Sequence, residues 1–182
     1  MNPAEALDIV SRGEGQRTEF KRTFAGDNEA IKSLCAFVHA QGGTVFLGVA
    51  SDGRITGVSL GQNTLEGFAN KITANTLPRL TPSIEELRLE GKTIVAATIQ
   101  QAGRGELFYA FNTPYIRVGK TNQVMSPDQQ KARLQVADAR WSEERDRQRK
   151  IDKAIRRSTK ELRGIASSAV IATTGKIYDI PL

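Results

Sequence analysis

Two carboxylates and a lysine lie close together near the start of the chain, at a spacing that suits metal-dependent phosphodiester cleavage. Glu19 and Lys21 flank Phe20, and residues two apart on a β-strand project from the same face. Glu14, beyond an intervening glycine, can fold back toward Glu19. Carboxylates bind hard cations such as Mg²⁺ or Mn²⁺, and a lysine offsets charge that develops on a phosphate. Asp52, in a turn after an apolar segment, is a candidate third metal ligand.

The same residue types also fit ordinary structural roles. An acid near a lysine on an exposed strand usually forms a solvated ion pair, and Asp-Gly in a turn often meets a backbone requirement. His39 is the single histidine, which excludes mechanisms that need two, and its place late in a helix favours packing or capping. Cys35, the single cysteine, lies on the apolar face of that helix and is interpreted as a core residue.

Another candidate phosphate site surrounds Gly119-Lys120-Thr121. The earlier glycine of the Walker pattern would fall at Pro114, so we expect no nucleotide cofactor. Two interpretations stay open, a strand followed by a polar loop or a phosphate site. The phosphate site would consist of Arg117, Lys120, Thr121 and Asn122.

The last quarter of the sequence predicts a long helix that begins at Ser126-Pro127, ends at Gly164 and is followed by a hairpin of residues 169–172 and 176–180. A basic stripe repeats at steps of four and three along it: Arg149, Lys153, Arg156, Lys160 and Arg163. Such a stripe can follow a phosphate backbone or can simply be a solvated face. A neighbouring apolar stripe consists of Ile151, Ile155, Leu162 and Ile165 and indicates packing against a homo-oligomer or partner protein.

Charge and composition favour a polyanionic partner in the cytoplasm. The net charge is +6, and residues 138–182 carry 11 Lys and Arg against 7 Asp and Glu, whereas residues 1–137 carry 15 against 13. We therefore separate a core of residues 1–137 from an appendage of residues 138–182. One cysteine suits a reducing compartment, and no run of ~18 apolar residues occurs in this sequence. Because no basic segment followed by an apolar run lies near residue 1, we expect no signal peptide. We expect no membrane contact.

Apolar periodicity predicts an α+β fold for the core. Helices are expected over residues 3–11, 27–40 and 62–76. Residues 44–49 and 55–58 are expected to form a hairpin around Asp52-Gly53. Further strands are expected over residues 17–22, 83–89, 92–99, 107–111 and 115–118.

Taken together, the core resembles the Schlafen AlbA-like domain family over residues 14–129. The blocks that carry the resemblance are Glu14…Glu19-Phe20-Lys21, residues 36–43 (AFVHAQGG), 47–49 (LGV), 52–58 (DGRITGV) and 115–119 (YIRVG). The resemblance implies a mixed sheet flanked by helices, and binding to DNA or RNA. In some Schlafen proteins three carboxylates form a metal-dependent RNA endonuclease site. Glu14 and Glu19 match the first two, but Ala50 stands at the third position, where the acid is delayed to Asp52, and His39 replaces the family's usual asparagine.

Three functions follow as hypotheses. The first is binding of a nucleic-acid backbone, with the long basic helix extending a surface of Arg17, Lys21, Arg22, Arg117 and Lys120. The alternative is an Mg²⁺- or Mn²⁺-dependent endonuclease that uses Glu14, Glu19, Lys21 and Asp52. The third is an assembly protein that associates through residues 138–182. Because aromatic residues make up only 6% of the chain, we expect backbone or shape recognition rather than base readout.

Overall fold

The structure is a computed structural model that describes residues 1–103 and 105–174, with the side chains of 136–141 and 163–174 left out. The helices are α1 (Pro3–Ser11), α2 (Asp27–His39), α3 (Thr64–Ala74) and α4 (Pro127–Thr174). The strands are β1 (Thr18–Lys21), β2 (Gly43–Leu47), β3 (Thr76–Leu77), β4 (Ser83–Leu89), β5 (Lys92–Ile99), β6 (Tyr109–Ala110), β7 (Tyr115–Val118) and β8 (Thr121–Val124). The chain divides into two units, Met1–Val136 and Ala137–Leu182.

The first unit is organised by a four-stranded sheet in the order β1-β2-β5-β4. β1 runs parallel to β2, and the β2–β5 and β5–β4 pairs are antiparallel. The structure therefore confirms the predicted α+β fold with a mixed sheet and a long C-terminal helix. β1 is an edge strand, so one row of its backbone groups is left for other partners.

Strand alternation sends neighbouring side chains of β1 to opposite faces of the sheet. Phe20 packs with Phe46 and with Val10 of α1 in one apolar cluster. Glu19 pairs with Val45, which belongs to the other cluster, packed beneath α2 and α3. Glu19 and Lys21 thus share the face that carries α2.

Gly42 and Gly43 end α2 and let β2 enter the sheet directly. Gly42 has φ +70°, and a Cβ there would lie 2.8 Å from the Ile99 carbonyl oxygen. A Cβ on Gly43 would lie 2.7 Å from the Arg17 carbonyl oxygen and 2.8 Å from Phe37 Cγ. A larger residue at position 43 would therefore have to displace the backbone at Arg17 or the Phe37 ring of α2.

The hairpin predicted over residues 44–49 and 55–58 is confirmed only at its turn. The Val49–Ile55 bridge and the hydrogen bonds from the Thr56 and Gly57 N–H groups to the Gly48 carbonyl oxygen join the two segments. Along its length, β2 instead takes β5 as its antiparallel neighbour. The physical reason is that β2 is buried throughout and needs a strand on each side. Gly48, at φ +95°, turns the chain away as β2 ends.

The sequence also misplaced elements near the C-terminus. The polar loop that was one of two open interpretations after residue 118 is instead a strand, because Thr121–Val124 forms β8 and pairs with β7 as a hairpin. α4 continues through Gly164 and residues 169–172 to Thr174, so the first strand of the predicted terminal hairpin is wrong. A glycine costs a helix only about 1 kcal/mol, and no proline interrupts this segment. Residues 176–180 lie outside the described residues. Within the described part, no helix combines the length and apolarity that a membrane crossing requires.

Candidate nucleic-acid interface

Glu19 lies at the centre of a buried ion-pair network. Its Oε1 is 2.5 Å from Lys21 Nζ, and its Oε2 is 2.8 Å from Arg117 Nη2. The side chains of Glu19, Lys21 and Arg117 are 9%, 24% and 1% exposed. Glu19 and Lys21 therefore share one face as predicted, but both Glu19 oxygens are already held by cations.

Arg117 ties the β7–β8 hairpin to the free edge of β1. Besides Glu19, its guanidinium donates to the carbonyl oxygens of Gly15 and Thr18 and to Asn122 Oδ1. It also lies over the Phe37 ring, 5.1 Å from the centroid. The prediction that Arg117 contacts a phosphate is wrong, because its side chain is enclosed by these partners.

Glu14 folds back to the same strand, as its spacing suggested. Its Oε1 accepts the Phe20 backbone N–H at 2.9 Å, on the edge of β1 that faces away from β2. The carboxylate thus satisfies a donor that an edge strand would otherwise leave open. Glu14 reaches the residue next to Glu19, but it acts there as a cap of the strand edge.

Asp52 is not brought to the two glutamates. It lies in an exposed turn, where it accepts the Arg54 backbone N–H at 3.1 Å and pairs with the Arg54 guanidinium. These hydrogen bonds, that of the backbone N–H first, lower the pKa of Asp52. The turn lies beside α1, since a Cβ on Gly53 would be 3.5 Å from the Val10 carbonyl oxygen. Asp52 therefore belongs to the side of the sheet opposite Glu19.

As arranged, the three predicted carboxylates do not fit a shared Mg²⁺ or Mn²⁺ site. Glu19 is neutralised by two cations, Glu14 holds a backbone donor, and Asp52 faces Arg54. Across the described residues, no group of three or more His, Cys, Asp and Glu side chains is placed to hold a metal ion.

Gln16 brings two exposed cations from distant parts of the sequence to one edge. Its Nε2 donates to the Arg117 carbonyl oxygen at 2.8 Å, and its Oε1 accepts the Gly119 N–H at 2.7 Å. The β7–β8 turn is thereby held against the start of β1. Arg17 and Lys120, the next residues along, are both exposed. No sequence signal pointed to Gln16, because both of its partners lie more than 100 residues away.

We define the basic edge as Arg17, Lys21, Arg22 and Lys120. Lys21 shares the Glu19 face of β1, Arg17 immediately precedes the strand and Arg22 follows it. Arg17, Arg22 and Lys120 are exposed and form no ion pair with any described residue. Thr121, also exposed, closes the adjacent turn by donating to the Val118 carbonyl oxygen. Of the predicted phosphate-contacting residues in this unit, Arg17, Arg22, Lys120 and Thr121 are thus exposed. Lys21 is mostly enclosed beside Glu19, and Asn122 is held by Arg117 and Ser33.

Comparison with known families identifies this fold. The family model described as Schlafen, AlbA_2 matches residues 14–126, well over half of the chain. The chain belongs to the Schlafen AlbA family. No curated protein matches the chain significantly.

Solved structures share the Schlafen AlbA fold at low sequence identity. The N-terminal domain of a RecG-related protein from Nitrosomonas europaea is 20% identical with a TM-score of 0.51, covering 70% of this chain and 96% of that one. The DIP2311 protein from Corynebacterium diphtheriae is 15% identical with a TM-score of 0.52, covering 67% of this chain. The match spans only 26% of the Corynebacterium protein.

His39 has a structural role in this Schlafen AlbA domain. Its Nε2 accepts the Phe108 N–H at 2.8 Å, so Nδ1 carries the proton and donates to the Tyr115 carbonyl oxygen at 2.6 Å. Burial lowers the pKa of His39 to about 4. Burial also raises the pKa of the Cys35 thiol to about 11. Both residues are confirmed as core residues.

α4 extends beyond the Schlafen AlbA match. Arg149, Lys153, Arg156 and Lys160 are all exposed on it, and the side chain of Arg163 lies outside the described residues. The exposed apolar residues are Ile151 at 44%, Ile155 at 59% and Leu162 at 64%, whereas the Ile165 side chain is not described. Lys160, nine residues after Ile151, projects about 180° from it. The basic and apolar stripes therefore lie on opposite faces rather than next to each other.

Proposed function

We propose that this Schlafen AlbA domain binds the phosphate backbone of DNA or RNA. The observation that carries the proposal is the basic edge, where Gln16 joins Arg17 and Lys120 across more than 100 residues. Membership of a family with nucleic-acid-related domains supports it. The RecG-related neighbour is named after an ATP-dependent DNA helicase, which agrees with a nucleic-acid role for the shared fold.

The electrostatics of the basic edge suit phosphate binding. Arg17, Arg22 and Lys120 have no ion pair to break among the described residues, so a phosphate oxygen gains a charge-assisted contact without displacing an internal carboxylate. Glu19 adds little negative charge at the surface, because Lys21 and Arg117 neutralise it. The buried network thus holds the edge in place while the outer cations meet the ligand.

Fluorescence anisotropy with labelled tRNA, single-stranded DNA and duplex DNA over a range of salt concentrations tests the proposal. The double variant Arg17→Ala, Lys120→Ala should bind all three ligands more weakly and reduce the salt slope by about 2, or about 1 per lost phosphate contact. Arg88→Ala is the matched control, because Arg88 is exposed on β4 at the opposite edge of the sheet. An equal effect of Arg88→Ala, or no binding by the wild type, would contradict the proposal.

Metal-dependent cleavage is the alternative function, and the same protein and ligand samples distinguish it from binding alone. The partners of Glu14, Glu19 and Asp52 favour binding over cleavage. Incubation of the labelled ligands with Mn²⁺ or EDTA should leave them intact in both. Cleavage in Mn²⁺ that Glu14→Gln abolishes would favour the nuclease, since glutamine still accepts the Phe20 N–H but is a poorer metal ligand.

We also propose that a second copy of the chain covers the apolar face of α4. Ile151, Ile155 and Leu162 fall on the steps of a heptad seam, with Ser158 at the intervening position. Such a seam is self-complementary, and the basic stripe would remain outside it.

The location of the protein in the cytoplasm remains a prediction.

Sedimentation measurements test this association. Replacing Ile151, Ile155 and Leu162 by glutamine should lower the mass of the particle, whereas replacing Arg149, Lys153 and Arg156 by glutamine should not. A wild-type protein that stays monomeric at all concentrations would overturn the association and leave the binding proposal intact.

A further inference from the structure

An open pocket lies beside the short β3–β6 ribbon, on residues that the basic edge does not use. Its volume is about 510 Å³, within the range of small-ligand pockets. The C-terminal end of α3 and the turn after β6 form its sides. The side chains that matter below are Arg79, Tyr109, Phe111 and Asn112.

The turn that presents two of these residues is strained. Phe111 has φ +52° and Asn112 has φ +61°, and Ala110 and Thr113 on either side exchange both backbone hydrogen bonds, at 2.9 and 3.0 Å. Two consecutive positive φ angles are typical of a type I′ turn, which usually carries Asn-Gly. A bulky side chain in this region is uncommon and energetically unfavourable. The fold thus holds an aromatic residue where glycine or asparagine would be easier.

Packing explains only part of this choice. Phe111 donates its backbone N–H to the Asn75 carbonyl oxygen at 2.9 Å, and its ring packs partly against the core. It nevertheless remains partly exposed, as does Tyr109. Both aromatic residues therefore line the pocket as well as the ribbon.

Three polar side chains that line the pocket have no hydrogen-bonding partner among the described residues, whereas Thr73, Asn75 and Thr76 bond to nearby carbonyl oxygens. The Asn112 amide, the Tyr109 hydroxyl and the Arg79 guanidinium form no hydrogen bond or ion pair with the residues the structure describes. An amide offers one donor and one acceptor side by side, which matches the edge of a nucleobase. Aromatic faces stack on bases, and a guanidinium binds phosphate.

We propose that this pocket takes one unpaired base of single-stranded nucleic acid. Tyr109 and Phe111 provide the stacking surface, Asn112 hydrogen-bonds the base edge, and Arg79 contacts the adjoining phosphate. This assignment rests on the proposed function and narrows its ligand to strands with accessible bases, because a duplex hides base faces within its stack. It also departs from the expectation of backbone or shape recognition rather than base readout.

The pocket and the basic edge lie within reach of one strand. Asn112 is eight residues before Lys120, and eight extended residues span at most roughly 26 Å. At about 3.4 Å per nucleotide in a stacked strand, roughly eight nucleotides cover this distance. A ten-nucleotide oligomer is therefore long enough to occupy both surfaces.

The test compares three ten-nucleotide probes by anisotropy: a single-stranded oligomer, its duplex and an oligomer of abasic nucleotides. The full chain should bind the base-bearing strand about ten-fold more tightly than the abasic one. Tyr109→Leu and Asn112→Gly should each remove most of this preference and leave abasic binding unchanged. Phe24→Leu is the control, because Phe24 is a partly exposed aromatic residue that packs against Phe68 outside the pocket.

The outcomes separate the two proposals. Equal affinity of the wild type for base-bearing and abasic strands, or an equal loss for both in the variants, overturns the base pocket while backbone binding stands. Failure of the wild type to bind any probe overturns the proposed function itself. Asn112→Gly keeps the turn's positive φ accessible and should fold, so it decides the matter if Tyr109→Leu does not fold.

Discussion

The buried Arg117 network of the first unit and the basic stripe of α4 place their cations in different surroundings. Arg117 is buried and donates to a carboxylate, two carbonyl oxygens and an amide. Lys153, Arg156 and Lys160 on α4 are exposed. The donors of a buried cation must be satisfied within the protein, so removing the cation leaves its partners unpaired, whereas an exposed cation remains available to a ligand. Burial therefore separates the basic residues whose donors are used within the protein from those that a ligand can reach.

Breaking the buried network should have the largest effect. Arg117→Met leaves Glu19 enclosed with Lys21 alone, and we expect the free energy of unfolding to fall by about 3–5 kcal/mol. Lys160→Met on α4 should change it by less than about 0.5 kcal/mol. Urea denaturation measures both. Adding Glu19→Gln to Arg117→Met should recover part of the loss, and a purely additive double variant would contradict the coupling.

The pH dependence of stability provides the second test of the buried region. The pKa of His39 is about 4 in the folded protein and about 6.5 when unfolded. The unfolded state therefore binds more protons between these values, and stability is full above pH 6.5 and falls as the pH drops toward 4. The expected loss is about 3 kcal/mol.

Urea denaturation between pH 7 and 4 measures this loss. His39→Gln should give a flatter profile than the wild type, because the glutamine does not titrate. Parallel profiles for the two proteins would show that His39 is not the titrating group.

Glu14 gives a smaller and more selective effect. Glu14→Ala removes the acceptor of the Phe20 N–H at the edge of β1 and should lower the free energy of unfolding by about 1–2 kcal/mol. Glu14→Gln retains an acceptor and should change it much less. Similar losses for the two variants would show that the charge, rather than the hydrogen bond, matters at this edge.

The exposed stripe of α4 should affect stability least. The triple variant Lys153→Gln, Arg156→Gln, Lys160→Gln should leave the unfolding of the first unit unchanged within about 0.5 kcal/mol. If the stripe follows a phosphate backbone, the salt slope of nucleic-acid binding falls by about 3. An unchanged slope would make the stripe a solvated face and confine binding to the first unit.

Local patterns in the sequence were sufficient to predict most of the helices and strands and also the family. The helices α1 and α2 and the strands β4, β5 and β7 follow from apolar periodicity, with Gly42-Gly43 marking the end of α2. Glu19-Phe20-Lys21 gave the correct face for each residue, because alternation along a strand is a local property. The order of motifs along the chain sufficed for the family.

Only the tertiary structure decided what the candidate residues do. The partners of Arg117, Gln16 and His39 lie 69 to 103 residues away in several cases, and no local spacing records such contacts. The pairing of β2 with β5 is also non-local, because it depends on which strands of the sheet need a neighbouring strand on each side. Burial, and with it the choice between an internal ion pair and a phosphate contact, is a property of the packed chain. Residue type and spacing limit that choice but do not make it.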